Sequence, residues 1–390
     1  MFNFEVFAIC SSTRKAKILT GGIYLIFRGL KFEPDAVIGQ KGTFCKGLNM
    51  SGILPIVFVV LFFLLSSQAH AVVLKIATLP PDGSNWMIAM RQGAEEVAKK
   101  TENRVRFKFY PGGVMGDDKA VLRKIRIGQL HGGILTSGSL SKFYPDILVY
   151  NLPMALKSFS EVDYVRKRMD SLLIDGLDKS GFVIFGLAEG GFAYLMSTTP
   201  VTNTHDLRKN KVWIPENDEL GLATFKIMGS TPIPLPLAEV RTALQTGLIN
   251  TITASAIGAI ALQWFTQVNY ITDTPLLYLC GLFAIDKKAF KKIPQADQQV
   301  VRKVMTRVYR RFDRENRKGN IKGIKVLRKQ GIKFVMPGGN TLKEWKELAL
   351  KVTGNLIDSG GISQEIYNTL QRNLTAYRSK QTKTDEEQIR

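Results

Sequence analysis

Residues 206–255 read DLRKNKVWIPENDELGLATFKIMGSTPIPLPLAEVRTALQTGLINTITAS. Three apolar runs, Lys211 to Pro215, Thr231 to Leu235 and Leu248 to Ile252, alternate with two stretches of helical periodicity, Asp218 to Met228 and Leu237 to Gln245. Strand, helix, strand, helix, strand predicts a pair of right-handed crossover units. A parallel sheet of this kind binds ligands outside the carboxyl ends of its strands. Trp213, Pro234 and Thr253 are then the residues beside a site.

Upstream, Val72 to Thr78 and Arg104 to Tyr110 read as strands around a helix from Asn85 to Lys100 that Ser84 can cap. Asp117 and Asp118 open a helix running to Gly128, where acids serve as caps and dipole partners rather than as a metal site. His131 to Thr136 is a third strand, and Phe182 to Leu187 and Ala188 to Ser197 are two more. Downstream, Gly258 to Trp264 reads as helix, and Thr266 to Asp273 and Pro275 to Ile285 read as strands able to pass back between lobes. A long helix spans Ala296 to Gln330, about 50 Å at 1.5 Å per residue. A last strand covers Gly331 to Pro337, helices follow from Leu342 to Leu356 and onward to Tyr377, and the polar tail from Lys380 is expected to be disordered.

The amino terminus follows a different logic. Ile53 to Leu65 is a thirteen-residue apolar run ending in Ser-Ser-Gln-Ala-His-Ala, the pattern of a signal peptide cleaved after Ala71. It is short of the roughly 20 residues a spanning helix needs. Residues 1–49 precede a normal leader and read as upstream sequence, with the leader at 50–71. Removing residues 1–71 takes away seven basic and three acidic residues, so the net charge falls from +21 to +17. It also leaves Cys280 as the sole cysteine, in an apolar run that marks it as a small core residue. Much of the positive charge lies between Asp286 and Lys329, with sixteen basic and four acidic residues. Val301, Val304, Val308 and Phe312 recur there at helical spacing, so the arginines between them read as a solvated helix face and not as a nucleic-acid site.

No H-E-x-x-H, C-x-x-C, G-x-S-x-G or phosphate-cradling glycine motif occurs. His131, at a strand start, reads as structural. The expectation is therefore a binding protein with no catalytic residue, metal or cofactor.

Several words, in order, resemble one family. DLRKNKVWIP followed by GSTPIPLPLAEVRTALQTGLIN, YPGG-x-x-GDD before a helix, GQLHGGILTSG, the loop Tyr150 to Pro153 and DKKAF-x-x-IP are similar to the periplasmic solute-binding subunits of TRAP (tripartite ATP-independent periplasmic) transporters, the dicarboxylate-binding DctP-like family. The resemblance implies a two-lobed, type II-like α/β periplasmic binding protein with crossing hinge strands and a long bracing helix. The lobes would divide as 72–195 and 196–285, with 286–378 completing and bracing them and 379–390 as tail. It also implies a periplasmic receptor, monomer or dimer, that closes on a small molecule and passes it to the small and large membrane subunits of a carrier. A sensor or carrier of a hydrophobic ligand, uncoupled from transport, is the alternative.

The family holds a carboxylate with two arginines and an asparagine. The matching positions here are Ala193, Trp213 and Ala254. Two lost charged hydrogen bonds weaken a carboxylate by about 3–6 kcal/mol, roughly 100- to 10,000-fold. The resemblance therefore implies a divergent branch whose ligand is not a simple C4-dicarboxylate but apolar or aromatic. The expected lining is Trp86, Thr136, Phe192, Tyr194, Trp213, Glu216, Pro234, Ser255 and Trp264, with Glu189 and Glu216 as partners for a cationic group.

Overall fold

The computed structural model describes residues 71–389, with side chains to residue 382. The expected upstream segment, and the leader apart from Ala71, lie outside the described residues. β1 (Val72–Ala77), β2 (Val105–Tyr110) and β3 (Gly132–Thr136) form a parallel array with β1 in the middle. The first helix, Asn85–Lys100, is capped as expected: Ser84 Oγ accepts the Met87 N–H, and Met87, Met90, Ala94 and Val97 face the core. Asp117 likewise caps the helix Asp118–Arg126, accepting the Ala120 N–H at 2.8 Å.

β4 (Phe182–Ser197) is a single sixteen-residue strand where the sequence suggested two. Its glycines bend the strand instead of ending it. The pairing with a later strand slips between Ile184 and Leu187 and again between Glu189 and Gly191, and a bulge absorbs each slip without breaking the ladder. β5 (Trp213–Pro215) and β6 (Ile233–Leu235) make a small parallel sheet of their own. β7 (Thr251–Ser255) starts three residues later than the sequence suggested and runs antiparallel to β4. Of the expected three-stranded parallel sheet, β5 and β6 pair as read, and the third strand joins them only through the parallel bridge Val212↔Thr251.

β8 (Tyr270–Thr272), β9 (Leu277–Asp286) and β10 (Lys333–Val335) complete an eight-stranded mixed sheet in the order β10-β8-β4-β9-β3-β1-β2, with β7 also on β4. β4 and β9 run antiparallel from the β1–β3 side, the first lobe, toward the β5–β8 and β10 side, the second. They are the two crossing strands.

The long helix, Gln295–Lys329, packs on the first helix, on β4 and on the short helix Ala256–Ala261. Val301, Val304, Met305, Val308 and Phe312 bury against the first lobe, and Gly323 and Leu327 against the second. One rigid rod thus touches both lobes. The helices Gly339–Asp358 and Gln364–Ile389 close the chain, and the last continues to Ile389, through the tail expected to be disordered. Among the described residues, no helix is long and apolar enough to cross a membrane.

Candidate solute site and its hinge

The expected lining residues fall into three places. Trp213 and Trp264 meet edge to face, with centroids 5.2 Å apart, in an apolar cluster of the second lobe. Trp213 is only 3% exposed and its Nε1 donates to the Leu235 carbonyl at 3.0 Å, so the indole is fixed inside the lobe and shows no open face to solvent. Ala254 belongs to the same cluster, and Tyr194, which stands opposite Ala254 on β4, packs against it while also touching the first-lobe core. Burial pushes the Tyr194 phenol above its usual range. Phe192 sits two residues back among Phe159 and Tyr278.

Ser255 caps the helix Ala256–Ala261 and stands opposite Ala193. Pro234 and Glu216 lie exposed at the β5–β6 edge. Trp86 and Thr136 belong to the first lobe, and the structure does not bring them to the tryptophan pair. Trp86 stacks on Phe312 at 4.3 Å and meets Tyr309 edge-on, which makes it part of the packing beneath the long helix. Thr136 is exposed at the carboxyl end of β3, where its backbone N–H and hydroxyl both donate to Asp118 Oδ2, at 3.0 and 2.8 Å. Burial pushes that carboxyl above the normal aspartate range. Ala77, Thr78, Gly113, Met115 and Ile134 line a recess beside it.

The structure places Ala193, Trp213 and Ala254 at 0%, 3% and 5% exposure. Each position where a carboxylate clamp would stand is apolar and enclosed. Beside them the Thr253 hydroxyl is buried without a protein partner.

Glu189 requires correction. It was expected near the cleft and free to pair with a cationic ligand, but it is fully buried and already bound. The Arg317 Nε donates to both its carboxylate oxygens, at 2.8 and 2.7 Å, and the Tyr278 hydroxyl donates to it at 3.1 Å.

That carboxylate belongs to a polar grip which the sequence reading missed. Asp313, Asn316, Arg317 and Asn320 stand at i, i+3, i+4 and i+7 on the long helix, hence on one face. They hold the bulge where β4 leaves the first lobe. Asp313 accepts the Glu189 N–H at 2.8 Å, Asn316 donates to the Glu189 carbonyl at 2.8 Å, and Asn320 donates to the Gly190 carbonyl at 3.1 Å. Asn320 also accepts the Ile257 N–H of the second lobe at 3.2 Å. Arg166, 8% exposed, ties the same cluster to the helix Phe159–Lys179 by donating to Asp313, Asp170, the Tyr278 hydroxyl and the Leu187 carbonyl. The readable signal was two asparagines, an aspartate and an arginine at helical spacing on a helix whose other polar positions are mostly cationic.

Cys280 is buried, and burial pushes its thiol well up. His131 Nδ1 accepts the Lys75 N–H at 3.0 Å, a structural use of the ring. Among the described residues no group of three or more histidine, cysteine or acidic side chains is arranged to hold a metal ion.

Two α/β lobes joined by crossing strands and braced by one helix define a solute-binding protein. The family model for bacterial extracellular solute-binding protein, family 7, matches residues 76–358, and the chain belongs to that family, the solute-binding proteins of the TRAP type. A solute-binding protein of Verminephrobacter eiseniae is 26% identical over 240 residues, covering 60% of this chain and 70% of that one. The sugar acid binding protein of Advenella mimigardefordensis, solved with galactonate, superposes with a TM-score of 0.71 at 19% identity, covering 79% of this chain and 99% of its own. A TRAP solute-binding protein of Desulfovibrio salexigens, solved with orotic acid, gives a TM-score of 0.70 at 16% identity, covering 78% of this chain and 99% of its own. At these identities the likeness to the solved structures establishes the fold.

Proposed function

We propose that this protein is a periplasmic receptor that captures a small solute between its lobes and delivers it to the small and large membrane subunits of a TRAP carrier, doing no chemistry on it. Hinge closure about β4 and β9 expels water from the solute, and a closed form is what the carrier recognises. The solute is apolar or aromatic rather than a simple carboxylate. The observation that carries this reading is the enclosed apolar set at Ala193, Trp213 and Ala254, where the resemblance implies two arginines and an asparagine. Two neighbours were solved with galactonate and orotic acid; in this chain no guanidinium occupies those three positions to form a bidentate fork for a carboxylate. Half-buried Tyr194 is the proposed apolar wall, with Trp213 and Trp264 packed in the cluster behind it and the unpaired Thr253 hydroxyl available to one polar group of the ligand.

Titration calorimetry with succinate, malate and galactonate tests the specificity. Millimolar or no binding is expected, and a micromolar constant for any of them would overturn the apolar assignment. Native mass spectrometry of gently purified protein is expected to show a retained uncharged or aromatic molecule. Its loss in Tyr194→Leu, with the thermal midpoint little changed, places that ring in the wall; undiminished retention removes it.

A further inference from the structure

We propose that the outer face of the long helix is a docking surface for anionic phospholipid, holding the receptor against the membrane. Gln295–Lys329 carries twelve basic residues and three acidic ones. All three acids are consumed: Asp297 by Arg104, Asp313 by Arg166, and Glu315 by Arg311. Among the cations, Arg307, Arg317 and Arg328 pair with acids from elsewhere in the chain, and Arg302 lies over the Phe290 ring. Seven remain exposed with no ion pair or ring contact: Lys303, Arg310, Arg314, Lys318, Lys322, Lys325 and Lys329.

Their spacing after Lys303 is 7, 4, 4, 4, 3 and 4 residues, so they form one stripe about 40 Å long. Like charges at i, i+4 destabilise a helix. The stripe is therefore held against the interest of the fold, which satisfied every acid on the same helix. A solvated amphipathic face normally mixes both signs, whereas the one exposed acid beside this stripe, Glu315, is taken by Arg311.

The shape of the stripe points to a planar partner. It is a straight row on a convex rod, without a groove to embrace a chain. It contains no aromatic side chain on which a base could stack, as a single-stranded nucleic acid requires. Ile321, 48% exposed, lies among the cations at i+3 from Lys318 and i+4 to Lys325. Lysines and arginines with an exposed apolar side chain between them suit a charged headgroup layer over hydrocarbon. The surface is opposite the hinge grip, so docking leaves the lobes free.

Vesicle co-sedimentation of the purified protein, as its host exports it, tests the proposal. Vesicles of phosphatidylethanolamine and phosphatidylglycerol are expected to pull the protein down at low salt and release it at high salt, while phosphatidylcholine vesicles leave it in solution. Arg314→Glu, Lys318→Glu and Lys322→Glu together are expected to weaken binding roughly 100-fold, at about fivefold per basic residue. The comparison is Arg126→Glu, Lys346→Glu and Lys351→Glu, the same charge change on exposed, unpaired residues away from the stripe, expected to weaken it by only a few-fold. Equal loss in the two triples overturns the stripe. So does failure of the unaltered protein to bind phosphatidylglycerol vesicles, and so does equal affinity for a short single-stranded DNA, which would mark a general polyanion surface. Far-ultraviolet dichroism confirms that each triple is folded.

Discussion

Replacing Arg166 by Met should show how much the hinge grip contributes. The guanidinium is 8% exposed and makes hydrogen bonds of 2.8 Å to Asp313, 3.0 Å to Asp170, 3.2 Å to the Tyr278 hydroxyl and 2.7 Å to the Leu187 carbonyl. Met fills a similar volume but leaves two carboxylates without their cation and the Leu187 carbonyl without the guanidinium donor. Breaking a buried ion pair from one side costs about 3–5 kcal/mol. Asp170 and Asp313 keep 27% and 32% side-chain exposure, so water can reach them and the low end, about 3 kcal/mol, applies. The orphaned Leu187 carbonyl adds about 1 kcal/mol. With a urea slope of about 3 kcal/mol/M, a total of about 4 kcal/mol lowers the unfolding midpoint by about 1.3 M. Equilibrium urea unfolding followed by tryptophan fluorescence measures this directly. Arg166→Lys, which keeps the charge but cannot form the fork, should fall between the two. A midpoint shift under about 0.3 M for Arg166→Met would mean that the network is spectator polarity and that the packing of β4 on the long helix suffices by itself.

Gly191→Ala should be worse than an ordinary strand substitution. Its φ is +91°, and an added Cβ would stand 2.2 Å from Asn320 Nδ2, so a loss of at least about 2 kcal/mol is expected from strain and clash. Adding Asn320→Ala should relieve the clash but not the strain, recovering part of the thermal midpoint; full recovery would show that the backbone angle is unimportant there. A third prediction concerns acid. Burial first, and then the charges of Lys75 and Lys292, lower the His131 pKa below 6.5, so the unfolded chain binds a proton before the folded one does. Stability therefore falls as pH drops from about 6.5 through the lowered native value and levels off below it. His131→Asn should flatten that part of a denaturation-versus-pH curve, and an unchanged slope would assign the acid sensitivity to another group.

The legible parts of this fold are those where local chemistry and tertiary position agree. Ser84 and Asp117 were readable as caps because a side-chain oxygen before an apolar-periodic run has few other uses, and both accept the expected N–H groups. The long helix was readable to within a residue at each end, since its apolar spacing and its terminating Gln-Gly persist over thirty-five residues. β7 was displaced because Leu248 and Ile249 look like strand, yet Leu248 is exposed and the pairing with β4 begins only at Thr251. Pairing register is a property of two segments, and one segment alone does not contain it.

The same reasoning explains why the candidate site was only half legible. A rule about strand ends locates a residue along the sheet and says nothing about which layer its side chain enters. Trp213 does end up at β5 beside Trp264, but its indole turns inward to the Leu235 carbonyl. Glu189 lies where β4 crosses between lobes, yet a buried carboxylate is stable only with a partner, and the partner comes from Arg317, 128 residues away. The positive charge of the long helix conceals two populations with opposite roles. Arg317, with the nearby Asp313, Asn316 and Asn320, faces the bulge and fixes the backbone of the crossing strand, while Lys303, Arg310, Arg314, Lys318, Lys322, Lys325 and Lys329 face water without partners. Composition sums the two, and only the helical phase separates them. A receptor of this architecture needs that separation, because a rod that bonds the crossing strand on its inner side must have its surplus charge on the outer one.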